Sequence, residues 1–206
     1  MSYVPILHLT IPAIWISVIL AFIAASLLQR FASGSKLGDW YWNAVTLYVL
    51  TWKLSYIPFN FDHFLNMPLS LLYFNGGLPG HLLAVSLVMG YLFIARKKQY
   101  GLIDQAVFSV LLFFISYQVI SAIFENQLIE AFSHSVLLLT SIVSARLMKK
   151  HEDVPHGLML TLLFMCELLI SSAFGPLFTW QNATVLALAA LTLTLYIRHE
   201  QKGQTV

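Results

Sequence analysis

The sequence predicts an all-α polytopic membrane protein: a bundle of seven transmembrane helices with an outward-side re-entrant or interfacial segment between spans two and three. Its 206 residues are 59% hydrophobic and only 10% charged, whereas about 25% of the residues are charged in an ordinary soluble domain. The mean hydropathy is +0.78. The apolar residues form long, leucine-rich runs, which favour helices over the short alternating strands of an outer-membrane barrel.

Seven apolar runs, bounded by charged residues or by Gly and Pro, come close to the roughly 20 residues that a bilayer-spanning helix needs. Seven spans leave residues only for short loops and tails. We therefore expect a single transmembrane domain over 1–206, without a separate soluble domain. The predicted spans are 11–29, 40–60, 79–95, 104–124, 130–148, 156–174 and 180–197.

The basic residues predict the orientation of the chain. Ten of the eleven Lys and Arg residues lie in the last turn of, or directly after, spans one, three, five and seven, and loops that retain Lys and Arg are cytoplasmic. The N-terminus is therefore expected outside and the C-terminus in the cytoplasm. Lys and Arg residues retained in cytoplasmic loops also account for the net charge of +2, so no nucleic-acid partner is indicated. These residues are Arg30, Lys36, Arg96, Lys97, Lys98, Arg146, Lys149, Lys150, Arg198 and Lys202.

Pro and Gly concentrate in the stretch 58–80, between spans two and three. Its apolar middle, 64–74, is too short to cross a bilayer and is rich in aromatic residues, which favours an interfacial helix or a re-entrant turn on the outer side. Asn75, Gly76 and Gly77 are expected to end this segment, because glycine permits the backbone reversal that returns the chain to span three.

Two ionisable residues lie well inside predicted spans, where a charge costs about 2.5 to 3.5 kcal/mol on insertion scales. Lys53 and Glu167 lie about two thirds of the way along spans two and six, at similar depth toward the outer side. One interpretation is an ion pair that offsets the cost to each residue. The other is a wet cavity open to outer-leaflet headgroups, in which Lys53 binds a phosphate.

Further polar residues collect toward the outer side. Glu130 and His134 are four residues apart and so share a helix face. They can form a hydrogen-bonded helix-end pair, a catalytic acid–base pair or two metal ligands; no third ligand is evident from the spacing, so we predict no metal site. Cys166 is the single cysteine, which excludes an intramolecular disulfide and a site built from several cysteines. The other polar residues around this depth are Tyr56, His81, Gln118, Glu125, Asn126 and Gln127.

The motifs of familiar hydrolases, metalloproteases and phosphate-binding loops are absent from the sequence. A histidine at the mouth of a span can still take a proton from a thiol or hydroxyl at neutral pH. A neighbouring cation can hold a lipid phosphate in place. His81 and Lys53 fit these two roles, and neither role requires a cofactor.

The sequence from span two to span three resembles the prolipoprotein diacylglyceryl transferases. The resemblance lies in Trp-Lys-Leu-Ser-Tyr at 52–56, Pro-Leu-Ser-Leu-Leu-Tyr-Phe at 68–74 and Gly-Gly-Leu-Pro-Gly-His at 76–81. It implies seven spans in a bacterial cytoplasmic membrane and transfer of diacylglyceryl from phosphatidylglycerol to the lipobox cysteine of a lipoprotein precursor. It also implies that His81 is the base and that Lys53 stands where the family has an arginine.

The sequence departs from the family pattern beyond these segments. Two leucines, rather than two glycines, follow His81, and the arginine-containing signature expected at the end of span four is replaced by the stretch 117–127, which has no arginine. The resemblance therefore covers 11–95 and is only topological afterwards.

Three functions are consistent with these patterns, so whether the chain is an enzyme stays open. One is a divergent transferase acting on outer-leaflet phospholipid, another a non-catalytic accessory membrane protein that retains a lipid-binding cavity, and the third a small-solute carrier. With His81 as the candidate catalytic residue, the candidate substrate-binding residues are Lys53, Tyr56, Asn75, Gly76, Gly77, Glu125, Asn126, Glu130, His134 and Glu167.

Overall fold

The computed structural model describes residues 3–6, 9–34, 36–99, 101–150, 156–176 and 179–204. In this part of the chain a short hairpin is followed by helices. The elements are β1 (Tyr3–Ile6), β2 (Leu9–Pro12), α1 (Ala13–Ser33), α2 (Asp39–Leu54), α3 (Tyr56–Phe59), α4 (Phe61–Asn66), α5 (Ser70–Tyr73), α6 (Gly77–Ala95), α7 (Leu102–Phe124), α8 (Leu128–Lys150), α9 (His156–Phe174) and α10 (Trp180–Gln204).

The hairpin is a feature that the sequence analysis did not predict. Strands β1 and β2 pair antiparallel, with Tyr3 opposite Pro12 and Ile6 opposite Leu9. Two residues assigned to span one, Ile11 and Pro12, belong to β2, so the first helix begins at Ala13. β-branched residues favour extended backbone. The boundary of span one was predicted from hydropathy alone, which does not take this preference into account.

The predicted helical, membrane-type architecture is confirmed. Helices α1, α6, α7 and α9, together with Leu128–Leu147 of α8, are each long and apolar enough to cross a membrane. They correspond to five of the seven predicted spans. The two remaining spans correspond to α2, which has 16 residues, and to α10, whose apolar part is Asn182–Arg198. The count of seven spans stays a prediction.

The second predicted span is interrupted near its C-terminal end. Helix α2 ends at Leu54, Ser55 lies in a turn, and the four-residue helix α3 follows. Pro58 explains the interruption, because a proline has no backbone N–H to donate to the carbonyl four residues earlier. The predicted interfacial or re-entrant segment contains the short helices α4 and α5; its position relative to a bilayer stays a prediction.

The chain divides into two compact units: unit 1 comprises Met1–Leu37 and Ile103–Val206, and unit 2 comprises Gly38–Leu102. Unit 1 is built around α7, of whose apolar window 56% is buried, against 22–33% for the other three long apolar helices of the unit. Alanines on α1 allow close helix packing, as small residues do where lipid supplies no hydrophobic drive between helices. The unit 1 core includes Ala25, Ala32, Val107, Phe108, Leu111, Leu112, Ile115, Leu163 and Phe164.

Unit 2 is organised by the packing of α2 against α6. The buried residues of α6 recur at intervals of three or four, which places them on one face of the helix. Small residues at the start of this stripe let the two helices approach closely. The stripe consists of Gly80, His81, Ala84, Val85, Val88, Leu92 and Ala95.

Candidate functional site

In unit 2, His81 lies in the second turn of α6 and is only 4% exposed. Its Nδ1 atom is 2.8 Å from the hydroxyl oxygen of Tyr48 on α2, and the two rings meet edge to face. The tertiary structure therefore gives the predicted base a hydrogen-bonding partner that the sequence analysis did not identify.

The glycines before His81 form a close contact with the end of α2. A Cβ atom at Gly76 would clash with the Ser55 side chain, and a Cβ atom at Gly80 would meet the same hydroxyl. The Gly76 N–H donates to the Trp52 carbonyl at 3.0 Å, and the Trp52 indole N–H donates to the Gly77 carbonyl at 3.3 Å. Two of the segments that carry the family resemblance, 52–56 and 76–81, thus contact each other.

The turn into α6 has the form that the sequence predicts. Gly77 has a φ of +60°, which glycine adopts without steric penalty. The Asn75 side-chain oxygen accepts the Gly77 N–H at 2.8 Å, so Asn75 stabilises the reversal locally. This arrangement accounts for both residues through backbone geometry.

Tyr56 and Lys53 take different environments in unit 2. Tyr56 is 3% exposed, donates its hydroxyl to Ser70 at 3.0 Å and stacks on Phe74. Lys53 is half-buried in the last turn of α2. A lysine at this position interacts favourably with the negative end of the helix dipole, because the helix ends at Leu54 rather than continuing to residue 60.

In unit 1, α7 ends in a Schellman motif that carries two of the predicted residues. The Gln127 N–H donates to the Ala122 carbonyl at 2.8 Å and the Asn126 N–H to that of Ile123 at 3.1 Å. Asn126 occupies the left-handed position with a φ of 58°, which asparagine tolerates better than most residues. Its neighbour Glu125 is exposed in the turn.

A polar pocket lies at the ends of α7 and α9 and the beginnings of α8 and α10 in unit 1. Its volume is about 270 Å³. The carboxyl groups of Glu125 and Glu130 contribute to the lining, whereas Asn126, also predicted, does not. We call it the acidic pocket; its lining consists of Tyr117, Gln118, Glu125, Gln127, Glu130, Ser171, Phe174, Gly175, Pro176, Thr179 and Asn182.

One helical turn beyond the lining residues Glu130 and Ser171 lie His134 and Glu167, both 0% exposed. His134 Nδ1 is 3.0 Å from Glu167 Oε2, and His134 Nε2 is 3.9 Å from Glu130 Oε1. The imidazole therefore stands between a fully buried carboxylate and one that lines the pocket. We call Glu130, His134 and Glu167 the carboxylate–imidazole array.

The array confirms one prediction and supplies a new pairing. Glu130 and His134 do share a helix face, as their spacing indicates. Glu167 has His134 as its partner, whereas the sequence analysis considered Lys53 for this role. Lys53 and His81 belong to unit 2, and Glu125, Glu130 and Glu167 belong to unit 1. The predicted site residues are therefore described unit by unit.

Several partners of these groups were missed from the sequence. These partners are Tyr48 on α2, Ser55 in the turn after α2, Ser70 on α5 and Ser171 on α9. They are ordinary residues by type, and no local spacing marks them. Gln118 donates its amide to Ser171 at 3.2 Å. A polar residue at 118, inside an apolar run, was the available signal for this contact.

Comparison of the chain with protein-family models, with curated proteins and with solved structures found no match. The structure therefore defines the protein by class alone: over the residues that it describes, the chain is helical apart from the hairpin of β1 and β2, and five of the helices are suited to a membrane. The resemblance to the diacylglyceryl transferases stays an expectation based on three short segments.

Proposed function

We propose that this chain is a seven-span protein of a bacterial cytoplasmic membrane that binds outer-leaflet phospholipid and is a divergent relative of the diacylglyceryl transferases. Its N-terminus lies outside and its C-terminus in the cytoplasm, and 58–80 forms an interfacial or re-entrant segment on the outer side. Lipoprotein precursors are the proposed acceptors.

The observation that supports this proposal is the convergence of the resembling segments in unit 2. Trp52 is joined by hydrogen bonds to Gly76 and Gly77, and His81 follows within one and a half turns of α6. These contacts join the end of α2, which carries a cation, to the start of the helix that carries a histidine. That pairing suits a phospholipid headgroup beside a proton acceptor.

His81 can act as a base in one of its tautomers. If Nδ1 carries the proton and donates it to the Tyr48 oxygen, Nε2 keeps its lone pair. Nε2 then accepts the proton of the lipobox thiol. The sulfur forms a bond to the glyceryl carbon of phosphatidylglycerol, the bond between that carbon and the phosphate oxygen breaks, and glycerol phosphate leaves. In this proposal Tyr48 is a positioning residue that holds the imidazole, and Lys53 binds the phosphate.

A non-catalytic lipid-binding protein is the second candidate, and a specific observation favours it. Gly76 and Gly80 are accounted for by close packing on Ser55, without reference to substrate. In addition, Lys53 offers a point charge where a guanidinium would bind phosphate through two parallel hydrogen bonds. The two candidates share the lipid and differ in transfer.

The experiment that separates them uses the purified full chain in vesicles of phosphatidylglycerol with a labelled diacylglyceryl moiety and a lipobox peptide. Transfer that is abolished by His81→Ala and unaffected by His156→Ala, a histidine of unit 1, supports the enzyme. Retained phosphatidylglycerol binding without transfer supports the accessory protein. If the unmodified chain shows neither phosphatidylglycerol binding nor transfer, the proposal is contradicted.

Lys53 offers a second, directional test. If it holds phosphate in place of an arginine, Lys53→Arg should strengthen phosphatidylglycerol binding and Lys53→Gln should weaken it, because the planar guanidinium binds phosphate in two places. Equal phosphatidylglycerol binding by the unmodified chain and both variants would show that Lys53 does not bind the lipid phosphate.

The orientation is tested separately by reporter fusions. A reporter after Lys202 should be cytoplasmic, and one inserted near Asn66 should be external. The reverse result would place the 58–80 segment on the cytoplasmic side and exclude binding of outer-leaflet lipid there.

A further inference from the structure

The acidic pocket of unit 1 has a charge that does not suit the phosphate proposed for unit 2. Two carboxyl groups, those of Glu125 and Glu130, contribute to its lining. Among the described residues that line it, none is Lys, Arg or His. An anionic ligand would be repelled here, whereas a cation would find two counter-ions.

The remaining lining groups supply hydrogen-bond acceptors and aromatic surface. Gln118, Thr179 and Asn182, whose side chains carry oxygen acceptors, line the pocket together with the aromatic residues Tyr117 and Phe174. Aromatic faces attract ammonium groups through the ring quadrupole. The volume of about 270 Å³ is slightly below the range of about 300–1,000 Å³ for drug-sized ligands, which fits a small polar group.

Buried acceptors behind the lining are the second indication of a ligand. Within the described part of the chain, His134 Nε2 and Glu167 Oε1 are buried and have no hydrogen-bond partner. The separation of 3.9 Å between His134 Nε2 and Glu130 Oε1 exceeds hydrogen-bonding distance. His134 Nε2, which faces Glu130, can be satisfied when a group with several N–H donors approaches Glu130 from the pocket, directly or through a water.

We propose that the acidic pocket binds an ammonium group, with Glu125 and Glu130 as its counter-ions and the unsatisfied His134 Nε2 as a further acceptor beside Glu130. An ammonium has three N–H donors and one positive charge, which match two carboxylates beside an imidazole. The group comes from an amine-bearing lipid headgroup or from a small free amine. The proposal is independent of His81 and of lipid transfer.

A divalent metal ion fits this site less well. A metal requires ligands that converge on one point, whereas the array runs in a line from Glu130 through His134 to Glu167. The described residues contain no group of three or more His, Cys, Asp or Glu side chains arranged to hold a metal ion.

The test measures binding by the full chain in two forms. Isothermal titration calorimetry with ethanolamine tests the free amine. Native mass spectrometry after incubation with vesicles of phosphatidylethanolamine and phosphatidylglycerol tests the lipid. Glu130→Gln and Glu125→Gln remove one counter-ion each; Glu125 is exposed in its turn, so its variant does not disturb the core.

Asp104→Asn is the matched control. Asp104 is an exposed acid of unit 1 in the first turn of α7, about 30 Å along that helix from Glu125 at 1.5 Å per residue. This variant removes the same charge from the same unit without touching the pocket.

We expect each of the two glutamine variants to weaken amine binding by about tenfold, the effect of losing one charged hydrogen bond, and D104N to leave it unchanged. Selective retention of phosphatidylethanolamine that E130Q abolishes identifies a lipid source, and saturable binding of ethanolamine alone identifies a soluble amine. No saturable binding of either probe, or equal binding by all four proteins, overturns the proposal.

Discussion

His81 in unit 2 and His134 in unit 1 are both almost completely buried on apolar helices, but their imidazoles contact different side-chain groups. His81 contacts the hydroxyl of Tyr48, whereas His134 contacts the carboxyl group of Glu167 and lies 3.9 Å from a second one, that of Glu130. A hydroxyl and an imidazole can be buried as a neutral pair, but an ionised carboxylate must be compensated.

This difference separates two kinds of candidate site. The surroundings of His81 are largely satisfied by packing and hydrogen bonds, so the indication of function in unit 2 comes from the family resemblance. The array in unit 1 leaves buried atoms without partners in the described chain and therefore carries its own indication of function. An ionisable group at membrane depth is costly and is a functional candidate by default.

The largest effect is expected from Glu167→Leu, which should reduce stability by about 3–5 kcal/mol, because it leaves the imidazole of His134 buried without its partner. The measurement is denaturant unfolding of the full chain in detergent micelles. The double variant, with His134→Leu added, removes both polar groups and should recover most of the loss. A double variant as unstable as the single one would show that the pairing does not cause the effect.

A smaller loss, about 1–3 kcal/mol, is expected from Gly76→Ala in unit 2. The new Cβ would lie 2.9 Å from the Gly80 Cα and 3.0 Å from the Ser55 Cβ, so α2 and α6 must separate. Gly90→Ala, within α6 itself, is the control, since nothing lies within 4 Å of its Cβ position. It should be neutral or stabilise by up to about 1 kcal/mol. Equal effects at both glycines would contradict the close packing.

Tyr48→Phe sharpens the comparison of the two histidines. It removes one neutral hydrogen bond and should reduce stability by about 1 kcal/mol, well below the effect of Glu167→Leu. The same unfolding assay measures both variants. A loss as large as that of Glu167→Leu would mean that His81 depends on a charged partner as much as His134 does.

The smallest effects are expected at Asn126. Asn126→Gly should change stability by less than about 0.5 kcal/mol, because glycine adopts a positive φ without strain. Asn126→Ala should lose about 1 kcal/mol, because its Cβ is disfavoured there. Equal stability of the two variants would show that the Schellman turn at the end of α7 does not require the left-handed conformation.

Local patterns predicted much of the fold. Five apolar runs became helices suited to a membrane, because run length and hydropathy decide whether a helix can be surrounded by lipid. The spacing of Glu130 and His134 predicted their shared face, and the reversal at Gly77 was predicted from glycine itself. The interruption after Leu54 was missed, although Pro58 marks it in the sequence.

Local patterns did not predict which residues of different helices contact each other. Gly76 was predicted to serve a turn, but the structure adds its contact with Ser55, which depends on where α2 and α6 meet. Glu167 and Lys53 were compared by depth, and depth does not specify which helices are neighbours or how each is rotated.

The sequence by itself determined the helical membrane class, the shared face of Glu130 and His134 and the reversal at Gly77, because these follow from hydropathy, helical period and backbone preference. Only the tertiary structure decided the partners of the two histidines, each 33 residues away along the chain. Which helices become neighbours, and how each is rotated about its axis, depends on how small residues let two helix surfaces pack. This packing is a property of a pair of helices rather than of one segment.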